Sequence, residues 1–90
     1  LWPKIVVGEL QARGVSNVRC VAVAPGYVGT PMVRGMNQDA LEGLLKGVHI
    51  ARLIEPDEIA DAILFAAKND ALDGTCLEIT GGLIANGLAK

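Results

Sequence analysis

Apolar positions fall into blocks along this chain, and their spacing changes from one block to the next. From Trp2 to Arg13, Ile5, Val6 and Leu10 form a loose stripe at helical spacing. Pro3 suits a first-turn position there, and Gly14 supplies a left-handed stop. Val18 to Ala24 is almost wholly apolar and rich in valine. Such a run without alternation reads as a strand covered on both faces, because a buried helix is longer. Pro25-Gly26 ends it, and Tyr27 to Asn37, punctuated by Gly29, Pro31 and Gly35, reads as a loop. Leu41, Leu44, Leu45 and Val48 then recur at helical spacing, which predicts a short helix from Gln38 to Lys46 with Asn37 as its cap. Gly43 and Gly47 weaken it.

Pro56 opens a stronger helix, with Asp57 and Glu58 in the first turn, where they complement the helix dipole, and Lys68 in the last. Its expected buried face is Ile59, Ala60, Ile63, Leu64 and Ala67. Asp70 to Gly74 reads as a turn, Thr75 to Ile79 as a second strand, and Gly81-Gly82 as its end, followed by a weak tail. The order is helix, strand, loop with helix, helix, strand: the βαβ unit of a parallel sheet in an α/β protein. Two strands are too few to cover a valine-rich strand on both sides, so the pattern calls for neighbouring strands from more chain or from a second copy.

Composition narrows this reading. Ninety residues allow one small domain, which buries roughly 60 to 65% of its unfolded surface. A hydrophobic content of 51% excludes a disordered chain, and no apolar run approaches the ~20 residues of a membrane span. Pro3, Glu9 and Arg13 break any apolar core of a leader peptide. Eight basic and ten acidic residues, evenly scattered, give a net charge of −2, which argues against a nucleic-acid partner. Cys20 and Cys76 both sit in apolar runs, as small strand fillers in a reducing compartment, with no partner at metal-ligand or redox spacing. The cytoplasm is the expected location.

In open α/β sheets, ligands bind outside the carboxyl ends of strands. That end of the first strand carries Pro25-Gly26-Tyr27-Val28-Gly29-Thr30-Pro31. Glycine there leaves room for a flat ligand, and the backbone near Val28 with the Thr30 hydroxyl can hydrogen-bond a small amide or carbonyl. Locally the same residues also read as a simple turn.

The stretch Val21-Ala22-Val23-Ala24-Pro25-Gly26-Tyr27-Val28-Gly29-Thr30-Pro31-Met32 resembles the short-chain dehydrogenase/reductase family after its sixth strand. Pro56 to Ala67 looks like that family's late helix, and Leu72 to Gly82 like its last strand and Gly-Gly end. Together the matches span nearly the whole chain in the right order. The wording from Asp70 to Thr80 also resembles the hydroxyprostaglandin-dehydrogenase-like branch. The resemblance implies the C-terminal part of a Rossmann-type, doubly wound parallel sheet that binds NAD or NADP and moves a hydride to or from an alcohol or carbonyl substrate. Carried over by position, Pro25 and Gly26 border the nicotinamide, while the Val28 backbone and the Thr30 hydroxyl hold its carboxamide. Tyr27, Met32, Leu41, Leu44 and Leu45 correspond to the substrate lid, although a leucine stripe reads equally well as packing. The family's late helix and last strand also imply a homo-oligomer.

The family's other parts are missing from these 90 residues. Thr80-Gly81-Gly82-Leu83-Ile84-Ala85-Asn86-Gly87 mimics the Thr-Gly-x-x-x-Gly-x-Gly loop only superficially, with Ala85 in a glycine position. Tyr27 is followed four positions later by Pro31 rather than Lys, so no Tyr-x-x-x-Lys pair is present, and no residue here is assigned a catalytic role. The expectation is a segment, residues 1–90, of a single NAD(P)-binding domain whose N-terminal part lies upstream. The alternative is a truncated, non-catalytic interaction module that docks on a full-length subunit. His49 reads as a lid or surface residue, and Trp2 as a packing anchor or an accidental end.

Overall fold

The computed structural model describes residues 2–84. Helix α1 (Trp2–Ala12) leads to strand β1 (Val21–Pro25), followed by α2 (Pro31–Arg34), α3 (Gln38–Leu45), α4 (Pro56–Lys68) and strand β2 (Thr75–Ile79). The strands are parallel and in register from Val21 opposite Thr75 to Pro25 opposite Ile79. A parallel pair joined through helices is the expected α/β unit, so the fold class read from the sequence holds.

Local signals explain the boundaries. Helix α1 closes in a Schellman turn: the Gly14 N–H donates to the Gln11 carbonyl (3.0 Å) and the Val15 N–H to the Leu10 carbonyl (2.9 Å), with Gly14 at φ +71°. Asn37 caps α3, its Oδ1 accepting from the N–H groups of Asp39 (2.8 Å) and Ala40 (3.4 Å). At the start of α4 the Glu58 carboxylate accepts from the Glu55 N–H (2.8 Å) and from both terminal nitrogens of Arg52 (2.8 and 3.0 Å). Those bonds, Arg52 first, hold the Glu58 carboxyl down to about 2, below the usual glutamate range.

The far end of α4 is closed by Arg19. Its Nη1 donates to the carbonyls of Ala66 (3.0 Å), Asn69 (3.1 Å) and Leu72 (2.9 Å), and its Nη2 to that of Ala67 (3.0 Å). A cation thus sits where the helix leaves carbonyls without partners. Just after Arg19, the Cys20 N–H bonds the Asp73 carboxylate (3.0 Å) and the Cys20 carbonyl accepts from Gly74 (2.8 Å), aligning the strand starts.

Several packing expectations need correction. The buried apolar side chains among the described residues are Pro3, Val48, Leu53, Ile54 and Ala66. The inward residue of α4 is Ala66, whereas Ile63 and Leu64, expected in the buried face, are 53% and 55% exposed, and Ala60 and Ala67 are exposed. Strand β1 is half-buried rather than covered on both faces, because β2 is its one strand neighbour here. The loop from Tyr27 to Asn37 contains a helical turn, α2, which Thr30 caps and Pro31 starts. Cys76 lies in β2, but Cys20 falls just before β1, which begins at Val21 rather than Val18.

Candidate functional site

The carboxyl ends of β1 and β2 lie side by side, and the connecting segment between α3 and α4 crosses both. On the β1 side, the Ile54 N–H donates to the Tyr27 carbonyl and the Gly29 N–H to the Ile54 carbonyl, both at 2.8 Å, forming a parallel bridge centred on Val28 and Ile54. On the β2 side, the His49 and Ile50 N–H groups donate to Gly82 (3.1 Å) and Gly81 (3.0 Å), and Val48 bridges Leu83. Gly81 and Gly82 have φ +67° and +81°, which glycine adopts without strain. The connecting segment itself buries Val48, Leu53 and Ile54 where it crosses the strand ends.

The residues singled out from the sequence divide into two groups. Pro25, Gly26, Tyr27, Val28 and Thr30 follow one another along the end of β1. The Gly26 N–H donates to the Ile79 carbonyl (3.0 Å), and a Cβ at Gly26 would stand 2.9 Å from the Thr80 Cα. Glycine is therefore required there by the neighbouring backbone, whatever ligand approaches. Val28 accepts from the Thr30 N–H (2.8 Å), but its own N–H meets no acceptor among the described residues. Because Tyr27 and Gly29 both bond Ile54, the Val28 N–H points away from that segment. The Thr30 Oγ1 accepts from the Val33 N–H (3.3 Å), leaving its proton free, and the residue is exposed. One backbone N–H and one hydroxyl, two residues apart, are thus available among the described residues, a donor pair suited to an amide or carbonyl oxygen.

The second group is more dispersed. Met32 lies on α2 and is 85% exposed. Leu41, Leu44 and Leu45 are half-buried on α3, which makes no extensive contact with either strand or with α4 among the described residues. His49 is exposed and joined to β2's end through its backbone. Ala85, Asn86 and Gly87, part of the glycine-loop mimic, lie outside the described residues. Among the described residues no cluster of three or more His, Cys, Asp or Glu side chains could hold a metal, and no helix is long and apolar enough to cross a membrane.

Sequence reading missed the charged frame around this loop. Arg34 donates through Nε to the Gly29 carbonyl (3.1 Å) and through Nη2 to Glu55 Oε1 (2.7 Å). Arg52 and Glu58 continue the frame into α4. The signal in the sequence was slight: an arginine four residues after Thr30, and a glutamate just before Pro56.

Comparison with known proteins assigns the chain to a family. The family model described as enoyl-(acyl carrier protein) reductase matches residues 11–83. The (3R)-3-hydroxyacyl-CoA dehydrogenase of Homo sapiens is 33% identical over 72 residues, 78% of this chain and 28% of the relative. The 3-oxoacyl-(acyl-carrier-protein) reductase FabG of Haemophilus influenzae is 39% identical over 85 residues, 91% of this chain and 34% of the relative. The acetoacetyl-CoA reductase of Allochromatium vinosum is 40% identical over 63 residues, 68% of this chain and 26% of the relative. The chain therefore spans about a third of the length of the curated relatives it matches. With the family model covering most of its length and the strand ends built as described, this chain belongs to the short-chain dehydrogenase/reductase family.

Proposed function

We propose that residues 1–90 form the C-terminal part of a single NAD- or NADP-binding domain, and that the whole protein transfers a hydride between the nicotinamide and an alcohol or carbonyl carbon. The observation that carries this reading is that the Val28 N–H has no acceptor among the described residues and the exposed Thr30 hydroxyl follows two residues later, at the carboxyl end of β1. These residues fit a carboxamide: Val28 donates from the backbone, Thr30 from its hydroxyl, and Gly26 keeps side-chain bulk off the loop. The bound dinucleotide supplies the hydride, and the role of this segment is to orient the ring and exclude water. Pro25 borders the ring, while Tyr27, Met32, Leu41, Leu44 and Leu45 line the lid above the substrate. The names of these relatives support an acyl thioester bearing a 3-oxo or 3-hydroxy group as substrate class. The hydroxyprostaglandin-dehydrogenase-like branch finds no support in those names. The assembly is a homo-oligomer in the cytoplasm.

A second reading, a non-catalytic docking module, is favoured by one observation. Ile63, Leu64 and Phe65 of α4 are each 53–55% exposed, apolar side chains on more than one side of the helix. The two readings separate in one assay on the complete gene product, incubated with NADH or NADPH and acetoacetyl-CoA. Saturable oxidation of either dinucleotide is expected. No oxidation and no dinucleotide binding overturns the enzyme reading in favour of the module.

A further inference from the structure

Gly29 stands between the two residues proposed to hold the carboxamide, and both of its backbone polar groups are already engaged. Its N–H donates to the Ile54 carbonyl (2.8 Å) and its carbonyl accepts from Arg34 Nε (3.1 Å). The residue is buried, and the Arg34 guanidinium occupies the space in which a side chain would stand. A Cβ built at Gly29 would stand 2.7 Å from Arg34 Cζ and 2.8 Å from Nε. Its φ lies outside the left-handed region, so what a side chain would meet here is the guanidinium, which would have to move aside, breaking its bond to the Gly29 carbonyl. Arg34 is held from the other side by Glu55, at 2.7 Å, and Glu55 is the residue from which α4 starts.

We propose that Arg34 is a positioning residue for the dinucleotide: it clamps the Gly29 carbonyl to Glu55 and so holds the Val28 N–H and the Thr30 hydroxyl in one orientation toward the nicotinamide carboxamide. The inference rests on the reading given above for Val28 and Thr30. Three features carry it. Arg34 itself sits on α2 and points back at the loop, so it acts through Gly29 without touching the ligand. The guanidinium alone among cationic side chains offers donors in a planar fork that reach a carbonyl and a carboxylate together. With both polar groups of Gly29 satisfied inside the protein, the loop presents its neighbours' donors and leaves Gly29 itself unavailable to a ligand.

The loop is pinned on one side by the buried Ile54 and on the other by Arg34, whose side chain is 49% exposed. Losing the outer pin leaves the Ile54 bonds intact. The expected result is a folded protein with a loosened donor pair rather than a collapsed site. The part of binding affected is therefore the nicotinamide end alone.

The test measures Kd by fluorescence titration for NADH against ADP-ribose, and for NADPH against 2′-phospho-ADP-ribose, which lack the nicotinamide. The complete gene product is compared with its Arg34→Met, Arg34→Lys and Thr30→Val variants. Arg34→Met weakens the reduced dinucleotide by about threefold to tenfold, the range expected when a charge-assisted bond that orders a donor pair is lost. The nicotinamide-free ligand is unchanged. Arg34→Lys behaves like Arg34→Met, because a single ammonium does not replace the fork. A general loss of stability would weaken both ligands alike and overturns the positioning role. If Thr30→Val weakens the dinucleotide selectively while both Arg34 variants bind as the parent does, the inference fails and the carboxamide reading stands. If neither Thr30 nor Arg34 variants change the ratio, or no dinucleotide binds, the reading fails and takes the inference with it.

Discussion

Arg19 is the arginine with most at stake in the fold. Replacing it by Met keeps the aliphatic stem and removes the donors. Its Nη1 carries two protons shared among three carbonyls at 2.9–3.1 Å, and its Nη2 adds a fourth contact at 3.0 Å, so about three protons are engaged rather than four independent bonds. A hydrogen bond to a charged group contributes about 1.5–3 kcal/mol net, but such bonds on one group are not additive, and water reaches a side chain that is 29% exposed. Asp70, 3.7 Å away and 95% exposed, adds almost nothing. The expected loss for Arg19→Met is therefore about 2–4 kcal/mol. Arg19→Lys retains about 0.3–1 kcal/mol of that through its charge at the helix end. Urea unfolding of the complete gene product, followed by circular dichroism, reads the loss as a lower midpoint at unchanged slope. A drop under about 0.5 kcal/mol would refute the capping argument, since that is the scatter of ordinary surface substitutions.

Two further predictions concern the same framework. Gly26→Ala places a methyl group 2.9 Å from the Thr80 Cα and 3.2 Å from its carbonyl oxygen, parting the strand ends. It should cost about 1–3 kcal/mol by overpacking, again read from the unfolding midpoint, and weaken dinucleotide binding with it. Glu58 has a folded pKa lowered to about 2 by Arg52 and the Glu55 N–H, so its contribution is complete above the ordinary glutamate range and fades as pH falls toward 2. Midpoints measured against pH should fall more steeply in that window for the parent than for Glu58→Gln, and the two curves should converge at its acid end. Parallel curves would contradict the assignment.

Much of this fold was legible because its boundaries rest on local chemistry. Strand β2 runs from Thr75 to Ile79 as read, and α4 begins at Pro56 and ends at Lys68. Gly14 and Asn37 act as the caps their types suggest. These features depend on backbone dihedrals and hydrogen bonds within a few residues. Burial did not follow, because it depends on what lies opposite. The apolar period of α4 correctly marks a helix, yet Ile63 and Leu64 stay exposed, and Ala66 is the buried residue instead. The same limit hid Arg19 within an apolar run: its partners are 47 to 53 residues away in sequence. At the site, Pro25-Gly26 and Thr30 were visible as a motif, but the backbone of Thr80 against Gly26 and the guanidinium of Arg34 against Gly29 were not. Such close approaches appear once the strands are paired and the connecting segment lies across them.

The most direct test of the central claim, that the Val28 N–H holds the nicotinamide carboxamide, is the nuclear magnetic resonance of that group. The complete gene product is labelled with nitrogen-labelled valine, and the Val28 amide is assigned by the signal lost in Val28→Ile. Titration with NADH or NADPH should move that amide downfield and saturate with the binding curve, whereas ADP-ribose or its 2′-phosphate should leave it in place. An amide that stays put while the dinucleotide binds, or that moves equally with the nicotinamide-free ligand, would contradict the account.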